Sequence, residues 1–217
     1  EAVFTGCMLV FLSTMTLVIM SQHFGLLWVA MEATTLVSAP LIYFHKHHRS
    51  LEAMWKYLLI CSVGIAIALL GNLFLAIAAT RPGETPFPMT VARLVADAGA
   101  LNAPWLLAAF IFLLVGYGTK MGLAPLHTWL PDAHSEAPSV VSALLSGALL
   151  NCAFLGILRA HQVMEAAGLG AKSGTLLIVL GFVSMFFAAV FILGQKDYKR
   201  MLAYSSVEHM GIMAVGI

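Results

Sequence analysis

The chain has 217 residues, 61% of them hydrophobic and only 10% charged, with eleven lysines and arginines against ten acids for a formal net charge of +1. A soluble domain carries roughly 25% charged residues, so this composition, with a mean hydropathy of +0.95, excludes an ordinary soluble protein and reads as an integral membrane protein. The near-neutral balance, with no basic face outside the short loops, excludes a nucleic-acid partner.

A membrane-spanning helix needs about 20 apolar residues. Runs of this kind cover residues 2–20, 24–44, 57–79, 105–126, 139–158 and 174–194, and a shorter one covers 201–217. The predicted fold is all-α: a polytopic transmembrane helix bundle of about seven helices, one domain over 1–217. The chain opens on Glu1 and closes on Ile217 inside an apolar run, which reads as an internal piece of a longer protein, incomplete at both ends. If the helices alternate, the 45–56 loop (Lys46, Arg49, Lys56) and the 195–200 loop (Lys196, Lys199, Arg200) share one side. The positive-inside rule makes that side cytoplasmic, against Arg81, Arg93, Arg159 and Lys172 on the other. The 80–104 connection begins with the turn residues Arg81-Pro-Gly-Glu-Thr-Pro-Phe-Pro88 and continues as a short amphipathic surface helix from Met89 to Asp97. Cys7, Cys61 and Cys152 stand isolated in apolar segments, without CxxC or Cys/His spacing, and read as small packing residues.

Along the chain, the first chemistry-bearing residue is Glu32, an acid inside the second run. Either it is neutral and hydrogen-bonded to a neighbouring helix, or it belongs to an ion or proton pathway, which the rarity of such residues favours. Lys56 stands at the predicted start of the third helix, where an ammonium reaches the headgroup region or serves as a mobile partner for Glu32. Lys120 is the most informative residue. It lies inside the fourth run, where a charge costs roughly 2.5–3.5 kcal/mol unless it faces a polar cavity or a partner, although a lysine can also snorkel to the interface. Gly122 and Pro125 follow, and proline removes an amide donor, so the helix is predicted to break beside the charge. Broken backbone at that depth is tolerated only when buried in protein or lining a water-filled cavity.

The stretch from Leu126 to Pro138 is dense in titratable groups: His127, Asp132, His134 and Glu136. It reads as a proline-punctuated, capped loop or as a cytoplasmic proton entry through the histidines, and its irregular spacing argues against a metal site. Asn151 is a lone polar residue of the fifth run, of the type that often joins helices. Glu208 and His209, adjacent in the last run, form a candidate relay station.

These residues together resemble the antiporter-like membrane subunits of respiratory complex I, Mrp cation/proton antiporters and membrane-bound hydrogenases. The motifs that carry the resemblance are Lys120-Met-Gly-Leu-Ala-Pro-Leu-His-Thr-Trp-Leu-Pro-Asp-Ala-His134, the stretch from Pro138 through Arg159, and Asp197-Tyr-Lys-Arg-Met-Leu-Ala-Tyr-Ser-Ser206. The stretch from His45 through Gly71 is similar to the hydrogenase branch, in particular the component F type of hydrogenase 4. The resemblance implies an inverted-repeat transporter fold with a discontinuous helix near Gly122 and Pro125. It matches Glu32 to the glutamate of the fifth helix, Lys56 to the lysine preceding the sixth, and Lys120 to the lysine of the broken seventh. The chain departs from the pattern where many members place a lysine or histidine in the eighth helix: here stand Ser146 and Asn151.

The expected function is that of a proton-translocating (or sodium-translocating) multi-pass subunit of a prokaryotic inner membrane. Other membrane subunits and a peripheral, hydrogenase-like redox module would be its partners. The sequence holds no Cys ligand set, Rossmann fingerprint or haem motif, so no cofactor, metal or catalytic centre is expected in this chain. Lys120 would be the central carrier and Glu32 its modulator, with His127, His134 and Glu136 for cytoplasmic access and Asn151, Glu208 and His209 for onward transfer. A stand-alone Mrp-type sodium/proton antiporter subunit and a purely structural anchor for hydrogenase modules are the alternatives.

Overall fold

Hydrocarbon offers no partners to backbone amides, and a helix satisfies them within its own segment. The computed structural model describes residues 2–80 and 89–217, and among these it is built from α-helices with no strand. They are α1 (Ala2–Met20), α2 (Phe24–Ile42), α3 (His48–Ala79), α4 (Val91–Ala96), α5 (Ala103–Met121), α6 (Trp129–Glu136), α7 (Ser139–Leu144), α8 (Leu150–Ala166), α9 (Gly170–Ile192) and α10 (Tyr198–Val215). A single π-helical turn, Leu145–Leu149, joins α7 to α8 without interruption. Among the described residues, six stretches are long and apolar enough to cross a membrane.

The helices start where caps dictate, which is not always where the apolar runs start. His47 and Ser50 form a reciprocal capping box, so α3 begins nine residues ahead of its apolar run and Lys56 is the ninth residue of the helix rather than its first. The Asn102 side chain accepts from Trp105 N at 3.4 Å and starts α5, and Asp197 caps α10 by accepting from Lys199 N at 2.9 Å. Residues 81–88, including Arg81 and the turn residues of the 80–104 connection, lie outside the described residues. The surface helix expected after them is α4, and the backbone before it is pinned by Phe24 N donating to Met89 O and Val91 N donating to Gln22 O, both at 2.9 Å.

The fourth run is broken as expected. Gly122 closes α5 at φ 80, in the left-handed region that glycine adopts without strain. Its amide donates to the carbonyls of Gly118 and Thr119, and a Cβ there would come within 2.6 Å of Leu130 Cδ1. Residues 122–128 are non-helical, after which α6 runs on toward the charged end.

Close helix contact depends on small residues. An added Cβ on Gly116 of α5 would lie 2.6 Å from both Ala68 N and Gly64 O of α3, so the two backbones nearly touch. Gly181 of α9 and Gly211 of α10 face each other's carbonyls in the same way, at 2.7 and 2.8 Å.

The two basic loops do share one end of the bundle. His47 Nε2 lies 3.4 Å from Glu136 Oε2, Lys56 Nζ lies 3.1 Å from Asp132 Oδ2, and Arg200 pairs with the same Asp132. Ser135 also donates to Asp197 at 2.7 Å. Arg159, expected among the charges of the opposite loops, is instead buried inside α8. Its guanidinium donates to the carbonyls of Ile19, at 2.8 Å, Val18 and Ser21. Those carbonyls terminate α1, where a cation complements the helix dipole and takes up unpaired acceptors.

Candidate functional site

Three helices enclose Lys120, which is fully buried. α2 supplies Glu32, Thr35 and Ser38 on successive turns; α3 supplies Tyr57 and Ser62; Lys120 is the penultimate residue of α5. Lys120 Nζ donates to Thr35 Oγ1 and to Tyr57 OH, each at 2.7 Å, and stands 4.6 Å from the centre of the Tyr57 ring. Tyr57 OH is in turn 2.6 Å from Ser38 Oγ. The ammonium is therefore held by neutral hydroxyls and an aromatic face, with no carboxylate bonded to it among the described residues.

Glu32 lies one turn along α2 from Thr35. Its Oε1 accepts from Ser62 Oγ at 2.9 Å, and its Oε2 is buried without a partner among the described residues. The structure sets Glu32 beside the Lys120 chamber but does not bond the two.

The break is stabilised by residues the sequence reading missed. Trp129, first residue of α6, is fully buried and donates its indole N–H to the Thr119 carbonyl at 2.8 Å. That carbonyl is among those left without an intrahelical partner where α5 stops. The same ring packs on Tyr57 with centroids 5.1 Å apart, so one side chain ties the broken helix to the lysine's ligand. Ser184 of α9 accepts from Ala124 N at 2.9 Å and covers another free backbone group. The available signal was the row of hydroxyls in α2 (Thr34, Thr35, Ser38) inside an otherwise apolar run.

Lys56 does not reach Glu32. It lies 2.7 Å from Glu52 Oε1 and 3.1 Å from Asp132, because Ser62, the partner of Glu32, is six residues further along α3, about 9 Å at 1.5 Å per residue. Lys56, Asp132 and Arg200 form a charged network at the basic end. It borders a pocket of about 560 Å³ that Arg49, Glu52, Glu136 and Lys196 also line. The hydrogen bond from Ser135 holds the Asp197 carboxyl beside it below the usual carboxylate range.

His127 is buried in the break between the rings of Phe187 and Tyr204, each 6.0 Å away, and its Nδ1 has no partner among the described residues. Pro125 stands exposed in the same segment. His134 of α6, also buried, leaves Nε2 unpaired among the described residues. It lines a cleft of about 750 Å³ with Ser146, Asn151, Ser206 and His209. The structure thus gathers His134, Asn151 and His209, which lie on three separate segments of the sequence. Ser146 and Ser206 meet across the cleft at 2.7 Å. Asn151 donates to Gly147 O at 2.7 Å, and His209 Nδ1 folds back to 2.6 Å from Ser205 O. Glu208, half-buried on α10, does not line the cleft, and Glu136 pairs with His47 at the charged end.

Residues 21–217 match the family described as NADH:quinone oxidoreductase/Mrp antiporter, transmembrane. A hydrogenase-4 component F homolog from Methylacidiphilum infernorum is 44% identical over 202 residues, which are 92% of this chain and 42% of that protein. An NAD(P)H-quinone oxidoreductase chain 4 from a Picosynechococcus species is 36% identical over 214 residues, 99% of this chain and 39% of that one. Among solved structures, a chain of the membrane-bound sulfane sulfur reductase, an archaeal respiratory membrane complex, superposes with a TM-score of 0.87 at 25% identity, covering 96% of this chain and 42% of that one. A chain of respiratory complex I from Thermus thermophilus gives 0.81 at 29% identity, over 99% and 44%. The chain spans about two fifths of the length of these two curated relatives.

Proposed function

The chain belongs to the NADH:quinone oxidoreductase/Mrp antiporter family of membrane proteins, and from that premise we propose that it is the proton-handling part of a redox-driven complex in a prokaryotic inner membrane. The 217 residues act as one transmembrane unit whose partners are further membrane subunits and a peripheral redox module. The relative at 44% identity, a hydrogenase-4 component F homolog, favours a hydrogenase-like module.

The observation that carries this reading is a fully buried Lys120 whose two hydrogen-bond acceptors, Thr35 and Tyr57, are neutral. A buried lysine bonded to a carboxylate is a fixed ion pair. One held by hydroxyls keeps its solvation in either protonation state and can take up or release a proton when a nearby charge moves. Glu32, one turn away on α2 with an Oε2 that has no partner among the described residues, is the charge suited to that task. Glu136, at the basic end, His134, where the cleft begins beside it, and His127, in the break, supply access toward Lys120. Asn151, His209 and Glu208 belong to the onward side, where Ser146 and Asn151 stand in place of a charged relay and Ser146 meets Ser206 at 2.7 Å. Lys56 acts with Asp132 and Arg200 at the entrance.

The test is redox-driven proton uptake by the full-length protein with its partner subunits, reconstituted in vesicles. Lys120→Met is expected to lower proton translocation by at least about tenfold while the complex still assembles. Unchanged translocation would make Lys120 structural and leave anchoring of the redox module as the better account; sodium-dependent translocation would reassign the chain to cation exchange.

A further inference from the structure

Tyr57 is fully buried, packed on Trp129, and has its hydroxyl between two other polar groups, Lys120 Nζ at 2.7 Å and Ser38 Oγ at 2.6 Å. Resting on the reading of Lys120 as a proton carrier, we propose that the Tyr57 hydroxyl is the positioning group that serves both protonation states of Lys120, by reversing its hydrogen bonds in concert with Ser38.

An ammonium can only donate. Tyr57 must then accept from it and turn its own proton to Ser38, whose hydroxyl donates to the Thr34 carbonyl at 2.6 Å. The row runs from Lys120 through Tyr57 and Ser38 to Thr34, with each hydroxyl proton directed away from the charge. When Lys120 loses a proton, Nζ keeps two N–H groups and gains a lone pair that requires a donor, because a buried polar atom without a partner is costly. Thr35 remains the acceptor of one N–H. Tyr57 turns its proton toward Nζ, and Ser38 turns its own toward Tyr57. Two O–H bonds rotate and no O–H bond breaks; the one bond that breaks is the N–H of Lys120 whose proton passes to the onward side of the proposed path.

Each neighbour contributes a property the switch needs. A carbonyl at the Tyr57 position could only accept, and a carboxylate would hold the ammonium by charge. Thr35 is also a hydroxyl, but behind it lies the Met31 carbonyl at 3.3 Å, which cannot donate back, whereas Ser38 can. The tilted stacking on Trp129 keeps the phenol in place while its proton turns. The other titratable groups near Lys120 are Glu32 on α2, Cys61 on α3 and Cys152 on α8, and none of them is hydrogen-bonded to Nζ.

The experiment uses the full-length protein in its complex in vesicles, and compares wild type, Lys120→Met, Tyr57→Phe and Ser38→Ala for the rate of proton uptake and its pH profile. Tyr57→Phe keeps the ring and its packing but removes the switch. It is expected to slow uptake about tenfold and to move the pH of half-maximal uptake by about one unit. Ser38→Ala touches neither Lys120 nor the ring, and a smaller slowing with a shift in the same sense is expected. A Tyr57→Phe rate and pH profile matching wild type, with Lys120→Met impaired, overturns the switch and leaves the carrier reading intact. If Tyr57→Phe does not assemble, Ser38→Ala decides: a displaced profile supports the switch and an unchanged one overturns it. Unimpaired Lys120→Met removes the carrier reading and the switch with it.

Discussion

The chamber around Lys120 and the cleft beside α10 are both polar sites in an apolar bundle, yet they satisfy their polar groups in opposite ways. In the chamber the bonds cross between helices: Lys120 to Thr35 and Tyr57, Tyr57 to Ser38, Ser62 to Glu32. In the cleft most bonds return to the residue's own helix one turn back: Asn151 to Gly147 O, His209 to Ser205 O, Ser206 to Leu202 O. The difference follows from burial. A closed site must supply every partner from protein because no water can do so: Thr35 and Ser38 rest on α2 carbonyls with their own protons, but the lysine, the phenol and the carboxylate are met only from other helices, whereas side chains at an open cleft can rest on local carbonyls. The heavy atoms of the chamber are thus held in place by bonds between helices, and those of the cleft mostly by bonds within one helix.

That contrast is most severely broken by forcing α3 and α5 apart. Gly116→Val places a side chain where Ala68 N and Gly64 O already stand, and overpacking against backbone costs about 3 kcal/mol or more. Loss of assembled protein in detergent, read by size-exclusion yield and thermal melting, is the expected result. Gly147, which has open space at its Cβ position beside the cleft, is expected to accept alanine with far less loss.

Trp129→Phe tests whether the break and the chamber are one structure. It removes the shorter of the two hydrogen bonds to the Thr119 carbonyl, leaving the one from Gly122 N at 3.2 Å; the loss costs about 0.5–1.5 kcal/mol, and proton uptake should fall together with melting temperature. A stable protein with normal uptake would separate the two. Arg159→Met removes the cation that caps α1 and is expected to cost about 2 kcal/mol with little change in uptake per assembled complex, since Arg159 lies outside both sites.

The smallest effect belongs to the exposed end. Asp197→Ala removes the α10 cap and should cost at most about 1 kcal/mol near neutral pH. The folded-state pKa of Asp197 lies below its ordinary value, so its contribution is complete above that ordinary value and disappears as pH falls through the lowered one. Wild type and variant should therefore differ fully in thermal stability above about pH 4 and converge only as pH falls below that through the lowered value, and a gap that persists at still lower pH would show that the cap does not depend on the charge.

Much of this was legible in the chain. Apolar runs gave the helices because hydrocarbon leaves few alternatives, and Gly122 with Pro125 marked the break because each has a backbone property that no neighbour can mask. Lys120 announced itself by the cost of its charge, and the basic loops by their shared side. Helix starts were less legible: His47 with Ser50 begins α3 in polar sequence, where hydropathy is silent. Lys56 was misplaced relative to Glu32 for the same reason, since its depth follows from where α3 begins.

By itself, the sequence determined that this is an all-helical membrane protein with a charge beside a broken helix, because composition, run length and backbone-restricted residues act locally. Only the tertiary structure decided that Lys120 is held by Thr35 and Tyr57 rather than by Glu32, that Trp129 closes the break, and that Arg159 caps α1. Those partners lie 10 to 141 residues apart in the chain, and serine, threonine, tyrosine and tryptophan carry no charge in an apolar run to signal their role. Which hydroxyl meets the lysine is set by the rotation and depth of three packed helices, a property of the bundle that no single segment encodes.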